Sequence, residues 1–261
     1  MQHERRETIM QMLIDADFVN AQELSSKFEV TSETIRRDLE YLEQMGYARR
    51  VHGGAVSIRR NVRESAFRLR QLEHTPEKRA IAEAAASFIE DGDTVLIAPG
   101  TTTRAVATFL SEKHDVTVIT NSLPIATDLA DCEGLNVFCL GGFVRADDYS
   151  VSGAMALENL KVFNANKLIL GVGGITPEHG VTDYRMDESA LLRTFIEKAD
   201  CVIGMADCSK FGKVLRYNVC PASGLDHLIT DSETPENLFL PYREEGVQVH
   251  VVPAEKANPE K

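Results

Sequence analysis

The sequence is poor in several features that would have fixed its class at once. No stretch approaches the roughly 18 consecutive apolar residues of a membrane-spanning helix, so no span and no membrane partner are expected. Glu4, Arg5, Arg6 and Glu7 are followed by no signal-like apolar core, so no signal peptide is expected either. The five cysteines, Cys132, Cys139, Cys201, Cys208 and Cys220, are odd in number and none stand in CxxC spacing. They indicate neither a disulfide framework nor a zinc site, and fit reduced thiols of a cytoplasmic protein. Positive charge is scarce too, with 28 Lys and Arg against 40 Asp and Glu, a net charge of −12. Averaged over the chain, that balance argues against a nucleic-acid partner. The average hides a split: residues 1–75 hold 12 cations and 12 anions, so the whole deficit lies in residues 76–261. At 261 residues two domains are the natural expectation.

What is present is concentrated first between Asn20 and Ser57. A short helical pattern with Leu24 and Phe28 meets a second one at a turn around Val30. The second helix starts at Thr31 or Ser32, both good N-caps, and repeats apolar residues at Ile35, Leu39 and Leu42. Glu33, Arg37, Glu40 and Gln44 then lie opposite the core face, with Thr34 and Arg36 on its flanks. An earlier amphipathic stretch, Ile9, Met12, Leu13, Phe18 and Val19, is expected to complete a three-helix core. Gly46 suits a C′ position, and Tyr47–Val51 and Ala55–Ile58 flank Gly53-Gly54, expected to be the two-residue turn of a wing hairpin. Residues 34–70 carry nine arginines (Arg36, Arg37, Arg49, Arg50, Arg59, Arg60, Arg63, Arg68, Arg70) against four carboxylates. The plain alternative is helix-surface pairing, Glu33 with Arg37 and Arg36 with Glu40. Arginine alone among the cations, however, is the residue suited to bidentate contacts with guanine and phosphate. Ser32, Glu33, Thr34, Arg36, Arg37, Arg49, Arg50 and His52 are therefore the candidate contacts to a double-stranded DNA operator.

The expected layout is a winged helix-turn-helix over 1–57, a linker over 58–76, an α/β domain over 77–253 and a polar tail over 254–261. In the third segment apolar strand runs alternate with helical patterns, which implies a mainly parallel sheet. Polar or glycine-rich segments follow the strand runs: Pro99 to Thr103, Asn121-Ser122, Gly141-Gly142, Gly173-Gly174, and Asp207 with Ser209 and Lys210. In a parallel sheet these share one edge, where open α/β folds bind ligands. Gly100, Thr101, Thr102 and Thr103 suit a phosphate, offering close backbone approach, hydroxyls and a helix N-terminus; Lys210 could add a full positive charge. Asp183, Arg185, Asp187 and Glu188 precede a helix beginning near Ser189. They serve either helix-start electrostatics or, for Asp183 and Glu188, sugar hydroxyls and, for Arg185, an anion. His179, His227 and His250 lack ligand-like pairing, and no metal or cofactor is expected.

The chain resembles the DeoR family of bacterial sugar-metabolism regulators over nearly its whole length. TSETIRRDLEYLEQMGYARRVHGGAV is similar to that family's helix-turn-helix and wing, and PGTTT, TNSLPIA, LGG, GVGGIT, HGVTDYRMDESALL and ADCSKFGK follow in the family's order. The resemblance implies a C-terminal sensor with a ribose-5-phosphate isomerase-like fold, responsive to a phosphorylated sugar. It points to Gly100–Thr103 for the phosphate and to Asn121, Gly141, Gly142, Asp183, Glu188 and Lys210 as pocket neighbours. Ala98 and Pro99 stand where many relatives place an acidic residue, so hydroxyl recognition there is expected to differ. The function implied is a repressor of a carbohydrate operon acting as a homodimer or homotetramer, without catalysis. The alternative is a sugar-phosphate isomerase or deaminase fused to a DNA-binding domain, with Asp183, Glu188 or Lys210 as candidate acid and base.

Overall fold

The computed structural model describes residues 5–6, 8–10, 12–13, 18–45, 47–57 and 74–253. Gly46, Ile58, Arg59, Arg60, Arg63, Arg68 and Arg70, nearly all of the expected linker, and the tail from 254 lie outside the described residues. The chain divides into two compact units, one N-terminal and one opening with the helix that starts at Thr75.

In the N-terminal unit, helical residues between 5 and 13 (α1) precede strand β1 (Phe18–Asn20), helix α2 (Ala21–Lys27), helix α3 (Ser32–Gln44) and the strands β2 (Ala48–Val51) and β3 (Gly54–Ser57). The starts of α2 and α3 have a chemical reason. The Asn20 side chain accepts from the N–H groups of Gln22 and Glu23 at 2.8 and 3.3 Å, and Thr31 Oγ1 accepts from Thr34 N at 3.2 Å. Ile9, Met10, Leu13, Val19, Leu24, Ile35, Leu39, Leu42, Tyr47, Ala48 and Ala55 form the core.

Two expectations are corrected here. Phe18 and Val19 do not extend a helix: β1 pairs antiparallel with β3, burying Val19 and leaving Phe18 43% exposed. The hairpin turn is His52-Gly53 rather than Gly53-Gly54, since Val51 already pairs with Gly54. Gly53 supplies the positive φ of +82°, whereas Gly54 is required by space, because a Cβ there would lie 1.9 Å from the Val19 carbonyl oxygen.

Asp38, fully buried in α3, accepts from Arg5 Nε and Arg6 Nε, each at 2.6 Å. Two cations thereby fasten α1 to the inner side of α3.

The second unit is built on a seven-stranded sheet in the order β15-β14-β12-β9-β4-β5-β6. These are Gln248–Val252, His227–Asp231, Ala199–Met205, Ala165–Gly171, Thr94–Ile97, Val116–Thr120 and Leu135–Cys139, all paired in parallel. The central strands are continuous apolar runs because both faces are covered. One core lies on each side: Leu96, Leu168 and Leu170 face Phe195 and Leu192, while Val95, Ile97, Ile169 and Ile203 face Ile81, Ala85 and Ile89. The helices are α4 (Thr75–Ser87), α5 (Thr101–Val106), α6 (Leu123–Leu129), α7 (Ala154–Leu160), α8 (Met186–Lys198) and α9 (Glu236–Glu244). Helix α8 begins three residues before the expected Ser189, so Asp187 and Glu188 lie inside its first turn. Beside the main sheet stand a hairpin, β7 (Phe143–Val144) with β8 (Val151–Ser152), and a small sheet, β10 (Gly174–Thr176), β11 (Gly180–Asp183) and β13 (Tyr217–Cys220).

Candidate DNA interface and candidate ligand edge

The DNA candidates fall on one exposed surface of α3 and on the wing. Ser32, Glu33, Arg36, Arg37, Arg49, Arg50 and His52 are exposed and Thr34 is half-buried. The Arg36 and Arg37 side chains are 62% and 73% exposed. Their ion pairs are local and loose, Arg36 with Glu33 at 3.1 Å and Glu40 at 3.9 Å, Arg37 with Glu33 at 3.4 Å. Exposed pairs of this kind are worth about 0 to 1 kcal/mol, so both guanidinium groups can exchange a carboxylate for a phosphate or a base.

Arg50 is held differently. Its side chain reaches Glu40 at 2.6 Å and Glu43 at 2.8 Å, and its backbone N–H donates to Glu43 Oε1 at 2.8 Å. The side-chain hydrogen bond to Glu43 raises the Arg50 pKa against the opposing effect of burial, and the backbone and side-chain bonds donated by Arg50 lower the Glu43 carboxyl. Arg50 thus ties the wing to α3, while Arg49 makes no ion pair among the described residues.

The strand order of the second unit puts the other candidates along one edge. The C-terminal ends of β12, β9, β4, β5 and β6 bring Asp207 and Lys210, Gly173, Gly100–Thr103, Asn121, and Gly141-Gly142 in that sequence. At β4 the chain turns at Gly100 into α5, whose opening turn has no side-chain cap. The Gly100 carbonyl accepts from Arg104 N at 3.0 Å and from Thr103 Oγ1 at 3.1 Å. Thr103 is fully buried, and a Cβ on Gly171 would lie 3.2 Å from its methyl. Its hydroxyl therefore holds the loop, leaving only its backbone N–H for a ligand. The hydroxyls of Thr101 and Thr102 make no hydrogen bond among the described residues.

Beside this loop lies a buried polar network that the sequence only half discloses. Asn121, fully buried, donates from Nδ2 to Val151 O at 3.0 Å and to Glu188 Oε1 at 3.3 Å, while its Oδ1 has no hydrogen-bond partner. Glu188 meets Arg145 Nη2 at 2.5 Å, and Arg145 also donates to Ser150 Oγ and lies 3.6 Å from Asp187. Asp187 in turn accepts from Ser152 Oγ at 2.8 Å. Burial raises the Asp187 carboxyl, but the Ser152 bond and the charges of Arg145 and Arg185 together carry it below its ordinary value.

Arg145 is the residue that sequence reasoning misses, because it stands alone in FVRADDYS with no periodicity around it. It is 3% exposed, held against Glu188 and Asp187 of α8 and against Ser150 of its own hairpin. Gly141 and Gly142, at the end of β6, pack closely against α7 and β8. Gly141 N donates to Asn159 Oδ1 at 2.9 Å, and a Cβ on Gly142 would lie 2.6 Å from Ser152 O.

Asp183 and Arg185 link Gly173 to the same network, and Lys210 lies at the end of β12. A Cβ on Gly173 would lie 3.3 Å from Asp183 Oδ2, and Asp183 Oδ1 accepts from Arg185 N at 3.0 Å. Arg185 Nε is 3.6 Å from Asp187. Lys210 Nζ is 3.7 Å from the buried Asp207. Burial raises Asp207, yet Lys210, Ser209, Lys78 and His74 together hold its pKa below the ordinary value.

His227 Nδ1 and His250 Nε2 are 3.1 Å apart, with the Phe88 ring tilted against the first and edge-on to the second. Among the described residues no group of three or more His, Cys, Asp or Glu could hold a metal ion, and no helix is long and apolar enough to cross a membrane.

A winged helix-turn-helix joined to a parallel α/β domain with a polar C-terminal edge defines a two-part DNA-binding protein. Residues 5–61 match the model of the DeoR-like helix-turn-helix domain, and residues 73–232 that of the DeoR C terminal sensor domain. The chain belongs to the DeoR family of HTH-type transcriptional regulators. It is 34% identical to the HTH-type transcriptional regulator YulB of Bacillus subtilis over 97% of this chain and 98% of that one. It is also 34% identical to a putative aga operon transcriptional repressor of Escherichia coli O157:H7, over 95% and 93% of the two chains. The repressor GlcR of Bacillus subtilis is 34% identical over 88% of each chain. Among solved structures, ribose 5-phosphate isomerase from Plasmodium falciparum overlaps 52% of each chain at 16% identity and a TM-score of 0.39.

Proposed function

We propose that the protein is a cytoplasmic repressor of a carbohydrate-metabolism operon, released or tightened on its DNA operator by a phosphorylated sugar bound at the Gly100–Thr103 edge. Relatives named as repressors, one of them of an aga operon, support the direction of regulation. The observation that carries the ligand is the loop itself: an uncapped helix start with two uncommitted hydroxyls, next to a buried carbonyl acceptor on Asn121. Helix N–H groups and hydroxyls suit a phosphate.

Two of the three residues read as candidate acid and base are engaged otherwise. Glu188 is locked between Arg145 and Asn121, and Lys210 faces Asp207. That arrangement favours recognition over proton transfer, which needs a group free to exchange its proton.

The test is operator binding at fixed salt with a panel of aldose and ketose phosphates. One of them is expected to change operator affinity, and Thr102→Val is expected to abolish that response while leaving ligand-free DNA binding intact. An unchanged response in Thr102→Val removes the loop from the site, and turnover of a sugar phosphate by pure protein favours the enzyme reading.

A further inference from the structure

We propose that Glu33 is a specificity-determining residue of α3, its carboxylate accepting a hydrogen bond from the N4 amine of a cytosine in the major groove while a neighbouring arginine takes a guanine. The inference rests on the reading of α3 as the helix that meets the operator.

Helix α3 carries four acids, Glu33, Asp38, Glu40 and Glu43, and three of them are held by partners outside the helix. Asp38 is buried beneath Arg5 and Arg6, each at 2.6 Å, while Glu40 and Glu43 hold Arg50 of the wing at 2.6 and 2.8 Å. Glu33 differs. Among the described residues its ion pairs stay within its own helix, with Arg36 at 3.1 Å and Arg37 at 3.4 Å, and its side chain is 52% exposed. The start of α3 does not need it as a cap, because Thr31 already accepts from the Thr34 N–H.

On the reading face this carboxylate has a cost. It meets phosphates of like charge and competes with them for both guanidinium groups, on every duplex alike. A base that donates a hydrogen bond to it offsets that cost, so the same charge that disfavours random DNA rewards one sequence. In the major groove the donors are the amines of cytosine and adenine. Adenine sets its N7 acceptor beside its amine, which repels a second carboxylate oxygen, whereas cytosine presents the N4 amine without a neighbouring acceptor.

The arginines fix where the partner base lies. Glu33 and Arg37 form an acceptor beside a donor fork, and a C·G pair offers the complement, an amine beside the two acceptors of guanine. The two residues stand four apart, about 6 Å along the helix axis, which is less than two base-pair steps of about 3.4 Å. The guanine taken by Arg37 therefore belongs to the same pair as the cytosine or to one beside it. In the free protein the two side chains satisfy each other, and their exposed pair exchanges for the bases at little cost.

The experiment is selection by the full chain from a duplex library with a randomised core, followed by fluorescence anisotropy on selected and random duplexes at one salt concentration. The wild type is expected to select a C·G pair at one position. Glu33→Ala is expected to erase that preference and keep the others. Glu33→Gln is expected to turn it toward A·T, since a glutamine amide matches N6 and N7 of adenine. Both variants are expected to bind random duplex about threefold tighter or more, because a repelling charge is gone. Glu23→Gln, which removes an equal charge from α2, leaves the selected sequence unchanged. A role in helix stability alone predicts instead a lower melting temperature and equal weakening on every duplex. That result, identical selected sequences from wild type and Glu33→Ala, or a lost preference for a pair other than C·G overturns the proposal. A wild type that selects no sequence overturns the operator reading as well. A wild type that selects one sequence, matched by Glu33→Ala, leaves that reading standing and removes only the role of Glu33.

Discussion

His227 and His250 touch across neighbouring strands, and the pairing has a thermodynamic consequence. Burial pushes the His227 imidazole below its ordinary value against the pull of Asp226, and burial, then His227 and Arg243, lowers His250. A histidine with a lowered folded pKa stays neutral in the native state while the unfolded chain takes up a proton. Its stabilisation is therefore complete above the unfolded value of about 6.5 and is lost as pH falls toward the folded value. The urea midpoint is expected to drop between about pH 7.5 and about pH 5.5, and to drop less in His250→Gln. Equal losses in the two proteins would dismiss the pair as the source. Arg145 makes the same point about scale, since a lone arginine gives no sequence signal and yet sits between Glu188, Asp187 and Ser150 with 3% exposure.

At the level of elements, α3 and the wing divide the work of binding. Arg37 projects from the polar face of α3 with its side chain 73% exposed, while Arg49 stands on β2 without an ion pair among the described residues. Arg37→Ala is expected to lose about 1 to 3 kcal/mol on the preferred operator and little on random duplex. Arg49→Ala is expected to weaken both alike and to lower the salt slope by about one. Equal effects of the two changes on both duplexes, measured by fluorescence anisotropy across a salt series, would refute the division.

Most of the helices of both units and the parallel strands of the second are legible in the sequence because their patterns are long. The apolar runs VTVIT and LILG are largely buried, and Ile35, Leu39 and Leu42 repeat at helical spacing. The small elements are not legible. β1, β7, β8 and β10 have two or three residues each, too few for a period, and they form only because a neighbour supplies the pairing. Either glycine of Gly53-Gly54 suits a turn, and only the pairing of Gly54 with Val51 and the approach of Val19 show that Gly54 belongs to the strand. The strand pattern is enough to put Gly100–Thr103 at a sheet edge, but the difference between Thr102 and Thr103 depends on the carbonyl of Gly100.

For the whole molecule, the partition of charge and the proposed ligand edge impose a reciprocal constraint. The proposed duplex contacts lie in residues 1–75, which are neutral overall but rich in arginine, and the acidic remainder carries the proposed sugar-phosphate edge. If a sugar phosphate changes operator affinity by some factor, the operator must change sugar-phosphate affinity by the same factor, because both ligands draw on one equilibrium between two states of the protein. Couplings of this kind are about 1 to 3 kcal/mol, or about 5- to 150-fold. Calorimetric titration of the active sugar phosphate into free and operator-bound protein, at one salt concentration, is expected to give the ratio found when operator is titrated with and without that compound. Thr102→Val is expected to bring both ratios to one. A sugar phosphate that binds free and operator-bound protein equally, yet changes expression of the target operon, would place the control outside this linkage.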